Sequence, residues 1–119
     1  MRVCSLALLP DGRLVSGHYQ PHVIRVWDVK RCALDVVISG HTNWVNALVA
    51  LHDGRLLSGS DDRTLKVWDE RVLSVRGGVG ANTCAATLQG HTRRVAALAV
   101  LPDGSVASGS GDGTVRVWR

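Results

Sequence analysis

The chain has 119 residues, a formal net charge of +4 and three cysteines. No apolar run reaches the ~20 residues that a membrane-spanning helix requires, and the mild positive charge alone argues only weakly for nucleic acid or an anionic membrane. Cys4, Cys32 and Cys84 lie far apart without a CxxC pair, which favours a reducing intracellular compartment, cytoplasmic or nuclear, over a disulfide-stabilised fold.

The first third of the chain predicts four short strands. Residues 3–9 are apolar and end at Pro10-Asp11-Gly12, a strong hairpin signal because glycine accepts a positive φ. Strands at 14–16 and 23–27 follow, separated by an irregular segment in which Pro21 fits a turn and not a central strand. Residues 33–38 complete the set.

The rest of the chain repeats this order. After Gly40-His41, strands are predicted at 45–51, 56–60, 64–68 and 84–88, with an Asp-Gly turn at 53–54. After Gly90-His91, the strands are 95–101, 106–110 and 114–118. Residues 70–83 contain three glycines and predict a flexible surface loop.

Three related strings fix the repeat period. The string SGSDDRTLKVWD at 58–69 is matched by SGSGDGTVRVW at 108–118 and less closely by SGHYQPHVIRVWD at 16–28. Trp27 and Trp68 are 41 positions apart, and Trp68 and Trp118 are 50 apart. The repeat units therefore span approximately 1–38, 39–89 and 90–119, with an insertion in the second.

The first strand of each unit is apolar at almost every position, so both faces of its sheet must be buried. The sequence shows no helical periodicity, so no helices are available to bury these faces. Each sheet must therefore be covered by another sheet. Four-stranded antiparallel sheets stacked face to face every ~41 residues describe propeller blades.

These residues resemble the WD-repeat β-propeller family, whose units carry a Gly-His pair and end in Trp-Asp. The resemblance rests on the two Gly-His pairs, on the endings at Trp27, Trp68 and Trp118, and on the SGSxDxT strings. It implies an all-β fold, a partial propeller with two four-stranded blades and a three-stranded third blade.

The resemblance also implies a hydrogen-bonded network that joins a His, a Ser, the turn Asp and the Trp of each unit. Its members would be His41, Ser58, Asp62 and Trp68 in the second unit, and His91, Ser108, Asp112 and Trp118 in the third. The first unit has Ser16 and Trp27 but neither a Gly-His pair nor a turn Asp, so its network is incomplete on this pattern.

Three blades do not close a ring, because propellers use ~4 to 8. Either the chain is part of a longer protein that supplies further blades, or several copies assemble. Alone it would expose two apolar sheet faces and an unpaired edge, which predicts self-association.

A His, an Asp and a Ser in one unit also fit a hydrolase, but their recurrence in two units and their places in the network favour a structural role. The pair His18 and His22 has a metal-ligand spacing, yet it lies in a turn with no further ligand close in sequence. We therefore expect no catalytic residue, no metal site and no cofactor.

Positions that differ between the units point to binding. Asn43-Trp44 in the second unit corresponds to Arg93-Arg94 in the third, while neighbouring positions stay alike. The resemblance implies that these residues, with Arg63, lie in loops on one rim of the ring. Trp and Arg are enriched in binding hot spots.

The sequence thus predicts a non-catalytic scaffold that binds a protein or peptide partner through Asn43, Trp44, Arg63, Arg93 and Arg94. A solvated loop whose aromatic residue packs locally explains Trp44 equally well. The alternative of a nucleic-acid-binding segment would need a basic stripe with stacking aromatics, and three of the four Trp are repeat endings. A membrane partner is not expected.

Overall fold

The computed structural model describes residues 2–69 and 84–119. In these ranges the chain forms eleven β-strands and no helix. The strands are β1 (Arg2–Leu8), β2 (Leu14–Tyr19), β3 (Val23–Asp28), β4 (Ala33–Ser39), β5 (Val45–Ala50), β6 (Leu56–Ser60), β7 (Leu65–Trp68), β8 (Ala86–Leu88), β9 (Val95–Val100), β10 (Val106–Ser110) and β11 (Val115–Trp118).

The strands form three antiparallel sheets in the order of the chain. The first blade is β1-β2-β3-β4, the second is β5-β6-β7-β8, and the third is β9-β10-β11. This arrangement confirms the predicted fold class, with two four-stranded blades and a three-stranded one in an arc that does not close.

Tight turns between the first two strands of each blade set the strand pairing. Gly12, Gly54 and Gly104 all have a φ near +90°, at 94°, 92° and 87°, a conformation that glycine adopts without a steric penalty. In the second blade, Gly54 N–H donates to the Leu51 carbonyl at 3.1 Å, and Leu51 N–H donates to the Arg55 carbonyl at 2.7 Å. The Asp-Gly pairs therefore act as the hairpin turns that the sequence predicted.

Each contact between neighbouring blades buries a separate apolar cluster. The first blade contributes Val15, Ile24, Val26, Val36 and Ile38, which pack against Val45, Leu48, Leu56 and Trp68 of the second. The second blade contributes Leu51, Leu57, Leu65 and Val67, which pack against Val95 and Val106 of the third. The second blade is thus covered on both faces, as its continuous apolar strands require.

Small residues allow these close approaches. A Cβ added to Gly59 would lie 2.6 Å from Val95 Cγ1 of the third blade, so the second blade tolerates no side chain there. The equivalent Gly109 of the third blade has nothing within 4 Å of its added Cβ. The contrast shows that the outer face of the third blade is open.

Apolar residues on the two outer faces are exposed. Val115 and Val117 on β11 are 75% and 49% exposed, whereas the equivalent Leu65 and Val67 on β7 are 0% and 9% exposed. On the first blade, Leu6 is 62% exposed, and the equivalent Leu48 is 7% exposed. Two faces that would be buried inside a longer stack therefore meet solvent in this chain.

The observed strands follow the prediction closely, with one informative difference. Strand β2 continues to Tyr19, whereas the sequence indicated an irregular segment from His18 onward. The extension pairs His18 with Val3, so the turn is confined to residues 20–22. The predicted loop at 70–83 lies outside the described residues.

Candidate functional site

Four residues of the second blade form one continuous hydrogen-bonded network. Ser58 Oγ lies 2.6 Å from His41 Nε2 and accepts the Trp68 indole N–H at 2.8 Å. His41 Nδ1 lies 2.8 Å from Asp62 Oδ2. Ser58 and Trp68 are both 0% exposed, so their polar atoms depend on these partners.

The chemistry of the donors fixes the direction of the network. An indole N–H can only donate, so Ser58 Oγ accepts from Trp68. The Asp62 carboxylate can only accept, so the proton of the His41 ring is at Nδ1 and is donated to it. In the neutral ring, Nε2 then accepts the Ser58 hydroxyl. Each atom in the chain is satisfied when the His41 ring is neutral.

Asp62 is the acceptor at the end of this network. Burial alone would raise its pKa, but hydrogen bonds from the side chains of His41 and Thr64 and from the Thr42 backbone outweigh that effect and lower the pKa well below 3.8. Thr42 N–H donates at 3.1 Å and Thr64 Oγ1 at 2.6 Å. The folded second blade therefore holds a carboxylate that resists protonation.

The third blade repeats the network. His91 Nε2 lies 2.7 Å from Ser108 Oγ, His91 Nδ1 lies 3.0 Å from Asp112 Oδ2, and Trp118 N–H donates to Ser108 at 2.8 Å. The side-chain hydrogen bond from Thr114 is the main cause that lowers the pKa of Asp112. Two copies with the same geometry are typical of a structural element of the repeat.

The first blade completes part of the network with a residue that the sequence analysis did not assign to it. Trp27 N–H donates to Ser16 Oγ at 2.8 Å, and His18 Nε2 lies 2.7 Å from the same oxygen. His18 is 1% exposed, and this burial, followed by the charge of Arg25, lowers its pKa. The signal was the spacing of two between Ser16 and His18, which puts both on one face of a strand.

The Ser–His–Asp order of the second blade has the distances of a hydrolytic triad, yet its surroundings differ from a catalytic site. A nucleophilic serine must reach a substrate carbonyl, and Ser58 is 0% exposed beneath the fully buried Trp68. Its oxygen is also occupied by the indole N–H. The network can therefore hold strands together but has no access for a substrate.

The residues proposed for binding lie at the rim where the Gly-His loops meet the turns after the second strands. Asp61 N–H donates to the Trp44 carbonyl at 2.9 Å, and Gly111 N–H donates to the Arg94 carbonyl at 3.0 Å. These equivalent bonds tie each Gly-His loop to the turn of its own blade. We call this edge the loop rim: residues 40–44, 61–63, 90–94 and 111–113.

Trp44 faces the first blade. Its ring centroid lies 4.1 Å from that of Tyr19, and the Arg2 guanidinium lies 5.5 Å from the Trp44 ring. The ring is half-buried by these contacts. Trp44 is therefore the centre of an aromatic cluster across the first two blades and remains partly accessible.

The other four residues meet at a separate place, between the second and third blades. Asn43, Arg63, Arg93 and Arg94, with Asp61 and Gly111, line a depression of about 390 Å³, which we call the arginine notch. Arg63, Arg93 and Arg94 are exposed. The structure thus brings four of the five predicted residues together and sets Trp44 apart from them.

A larger cleft of about 480 Å³ lies toward the opposite rim, lined by residues that include Leu57, Leu88, Val106 and Trp118. Within residues 2–69 and 84–119, no three His, Cys, Asp or Glu side chains are placed to hold a metal ion. In the same ranges no helix has the length and hydrophobicity needed to cross a bilayer. The three cysteines are free thiols.

Comparison with known proteins identifies the family. Residues 33–69 and 82–119 match the family described as WD domain, G-beta repeat. Together with the three-blade arc and the repeated network, this match shows that the chain belongs to the WD-repeat family. Proteins of this family generally act as protein-interaction scaffolds, and they are generally non-enzymatic.

Several curated proteins are similar to the chain over part of their length. The guanine nucleotide-binding protein subunit beta of Lymnaea stagnalis is 37% identical over 68 residues, which cover 56% of this chain and 20% of that protein. The nuclear distribution protein PAC1 of Ajellomyces capsulatus is 53% identical over 47 residues, covering 39% of this chain and 10% of that protein. The target of rapamycin complex subunit wat1 of Schizosaccharomyces pombe is 36% identical over 78 residues, covering 63% and 24%.

Two solved structures superpose on nearly the whole chain. A structure described as U3-55K and one described as the RRP9 WD40 repeats each give a TM-score of 0.80 at 34% identity and cover 98% of this chain. The chain covers 34% and 33% of them respectively. It therefore spans about a third of these propellers and no more than a quarter of the curated relatives above.

We predict that Asp62→Asn weakens the chain at neutral pH and flattens its acid sensitivity. At pH 7 the variant loses a charged acceptor for four donors, which we expect to cost about 1–3 kcal/mol of unfolding free energy. The pKa of folded Asp62 lies below its ordinary value of 3.8, so the unfolded chain binds more protons in acid. The stability from Asp62 is thus complete above that value and falls as the pH decreases through and below it.

Urea unfolding at pH 7 and across the acid range, followed by tryptophan fluorescence, measures both effects. Asp28→Asn is the control, because the Asp28 carboxylate accepts a backbone N–H in a turn at the other rim, at 3.2 Å from Arg31 N. Equal losses of unfolding free energy in the two variants at pH 7 would contradict the network. So would a pH dependence of the unfolding free energy in acid that is unchanged in Asp62→Asn.

Proposed function

We propose that the chain is part of a non-catalytic scaffold that binds a protein or peptide partner through the loop rim. One observation carries this proposal: the residues of the buried networks repeat between the second and third blades, whereas the positions beside them on the loop rim differ in chemical type. Asn43-Trp44 and Arg93-Arg94 occupy equivalent positions beside His41 and His91. Their identities are not required by the blade and remain available for recognition.

The exposure and type of these side chains support the proposal. Arg63, Arg93 and Arg94 are exposed and Trp44 is half-buried, so each can contact a partner without unfolding a blade. Trp and Arg carry a disproportionate share of binding energy at interfaces. The relatives include a nuclear distribution protein and a subunit of a protein complex by their names, which agrees with an intracellular scaffold, cytoplasmic or nuclear.

Nucleic acid is the second candidate, and the distribution of charge disfavours it. Non-specific nucleic-acid binding requires a basic groove with aromatic side chains on which bases stack. Here the three rim arginines converge on a single notch with Asp61 in its wall. Trp44, the one Trp outside the Ser networks, stacks on Tyr19, which leaves less of its ring for a base.

We further propose that repeat units 1–38, 39–89 and 90–119 belong to a longer stack of blades, supplied by a longer chain or by another copy. The exposed Val115 and Val117 of the third blade and Leu6 and Leu8 of the first support this proposal. Apolar patches of this kind are typical of interaction surfaces.

To test the rim, the chain carrying both Trp44→Ala and Arg94→Ala is compared with wild type as bait in a pull-down from a cell extract. We expect at least one partner to be lost, because truncating a hot-spot residue to alanine costs about 2 kcal/mol or more of binding free energy. The control is Arg55→Ala, an exposed arginine in the turn at the opposite rim. Identical partner lists for all three baits would refute the rim site.

For the open faces, light scattering at micromolar concentration should show the isolated chain associating beyond its monomer mass of 12.7 kDa. Val115→Lys should reduce the association, since it places a charge on the third blade's outer face. His52→Lys adds the same charge in an exposed turn and should leave the association unchanged. A monodisperse wild-type monomer would contradict the proposed contact.

A further inference from the structure

We propose that the arginine notch binds an acidic side chain of a peptide ligand, through the anionic oxygens of a carboxylate or a phosphoryl group. This inference rests on the proposed function and names the chemistry of one part of the rim. It is carried by the charges of the residues that line the notch, by the position of the other nearby carboxylates outside it and by Gly111 in the third blade's turn.

The three arginines of the notch have no ion-pair partner within the described residues. The ion pairs found there join Arg13 to Asp11 and Asp35, Arg55 to Asp53, and the two histidines to the network aspartates. Arg63, Arg93 and Arg94 make none of these contacts. Three guanidinium groups around one depression repel each other, and an anion bound among them would reduce that repulsion.

A single carboxylate among the residues that line the notch offsets one of these three positive charges. Asp61 is the single acidic residue among those that line it, and its carboxylate accepts a hydrogen bond from the Asn46 amide. The carboxylates of Asp62 and Asp112 accept from the histidines and are not among the residues that line the notch. The lining residues therefore carry three guanidinium groups against one carboxylate, an excess of two positive charges.

The turn of the third blade lies beside two of the arginines and has a glycine where the second blade has Asp61. The position that holds Asp61 in the second blade holds Gly111 in the third, so no second carboxylate faces Arg94. A Cβ on Gly111 would lie 3.4 Å from Arg94 Cγ and 3.7 Å from Arg93 Cβ. These are ordinary van der Waals distances, so both arginine side chains lie directly beside the Gly111 turn at the edge of the notch.

Asn43 adds a neutral donor on the side of the second blade. Its Oδ1 accepts the Trp44 backbone N–H at 2.8 Å, which leaves the amide NH₂ free to donate. Guanidinium groups supply only N–H donors, the Asn43 amide adds its NH₂, and these donors match the acceptor oxygens of carboxylates and phosphoryl groups. The notch therefore selects an acceptor-rich, negatively charged group.

The size of the notch favours a side chain over a polymer backbone. A depression of about 390 Å³ accommodates one or two acidic side chains between the second and third blades. A nucleic-acid backbone spaces its charges along a track, and Trp44 points away from the notch toward Tyr19. An acidic peptide that crosses the rim fits this arrangement.

Fluorescence polarisation with fluorescein-labelled decapeptides of sequence GSGSXXGSGS tests the inference. The two X positions carry glutamate, phosphoserine or glutamine, so the first two arms distinguish the carboxylate from the phosphoryl source. We expect one acidic peptide to bind at least about tenfold more tightly than the glutamine peptide, which corresponds to one charge-assisted hydrogen bond.

Variants then locate the site. Arg94→Ala should weaken the binding of the acidic peptide about tenfold, and Arg94→Lys should recover part of the lost affinity because it keeps the charge. Arg55→Ala at the opposite rim should leave the affinity unchanged. Unchanged tryptophan fluorescence and urea unfolding in each variant show that the blades remain folded. Equal affinity for the three peptides, or equal loss in Arg94→Ala and Arg55→Ala, would overturn the inference.

A labelled ten-nucleotide thymidine strand is the competing probe, and tighter binding of it than of either acidic peptide, lost in Arg94→Ala, would overturn the peptide assignment. The two proposals fail separately. If single-variant baits lose a partner with Trp44→Ala but not with Arg94→Ala, and no acidic peptide binds, the scaffold proposal stands and the notch inference falls.

Discussion

The buried serine hydroxyl of each blade is the atom on which the rest of the structure depends. Ser58 Oγ joins the indole of Trp68 to the ring of His41, and His41 joins the Gly-His loop to Asp62 in the turn between β6 and β7. One oxygen thus connects the second strand, the third strand and the loop before the first. Because it is 0% exposed, removing a partner would leave a donor without an acceptor in the interior.

This network explains how small units of the same shape can carry different surface residues. The hydrogen bonds that fix the shape of the blade come from side chains that face inward. Residues next to them, such as Thr42 and Asn43, point toward the rim. Residues that stabilise the blade and residues available for recognition are therefore neighbours in the chain. Adjacent blades present different side chains, Asn43-Trp44 and Arg93-Arg94, at equivalent backbone positions.

Much of the fold could be predicted from the sequence because the same order of strands and turns occurs three times in the chain. The Asp-Gly turns and continuous apolar strands predict stacked hairpins, and the structure has a strand at every predicted place within the described residues. The role of His18 was missed because the repeat pattern places the network histidine in a preceding Gly-His loop, whereas His18 contacts Ser16 from the same strand. In the first blade, the histidine that contacts the serine therefore comes from a different position of the repeat.

The candidate site shows a similar limit. The contrast between the units identified Trp44, Arg93 and Arg94 as variable, but side-chain direction decides which of them act together. Trp44 packs against Tyr19 of the first blade. Arg93 and Arg94 line the notch between the second and third blades, together with Asn43 and Arg63. Contacts between blades involve residues far apart in the chain, and the repeat pattern describes each blade separately.

Exchange of the indole N–H protons, followed by NMR in deuterated water, tests the central claim that the buried networks hold the blades. Trp27, Trp68 and Trp118 donate to Ser16, Ser58 and Ser108, whereas the Trp44 indole has no acceptor among the described residues. We predict that the Trp68 proton exchanges orders of magnitude more slowly than that of Trp44, because its release requires the blade to open. Exchange of Trp68 as fast as that of Trp44 would contradict the account.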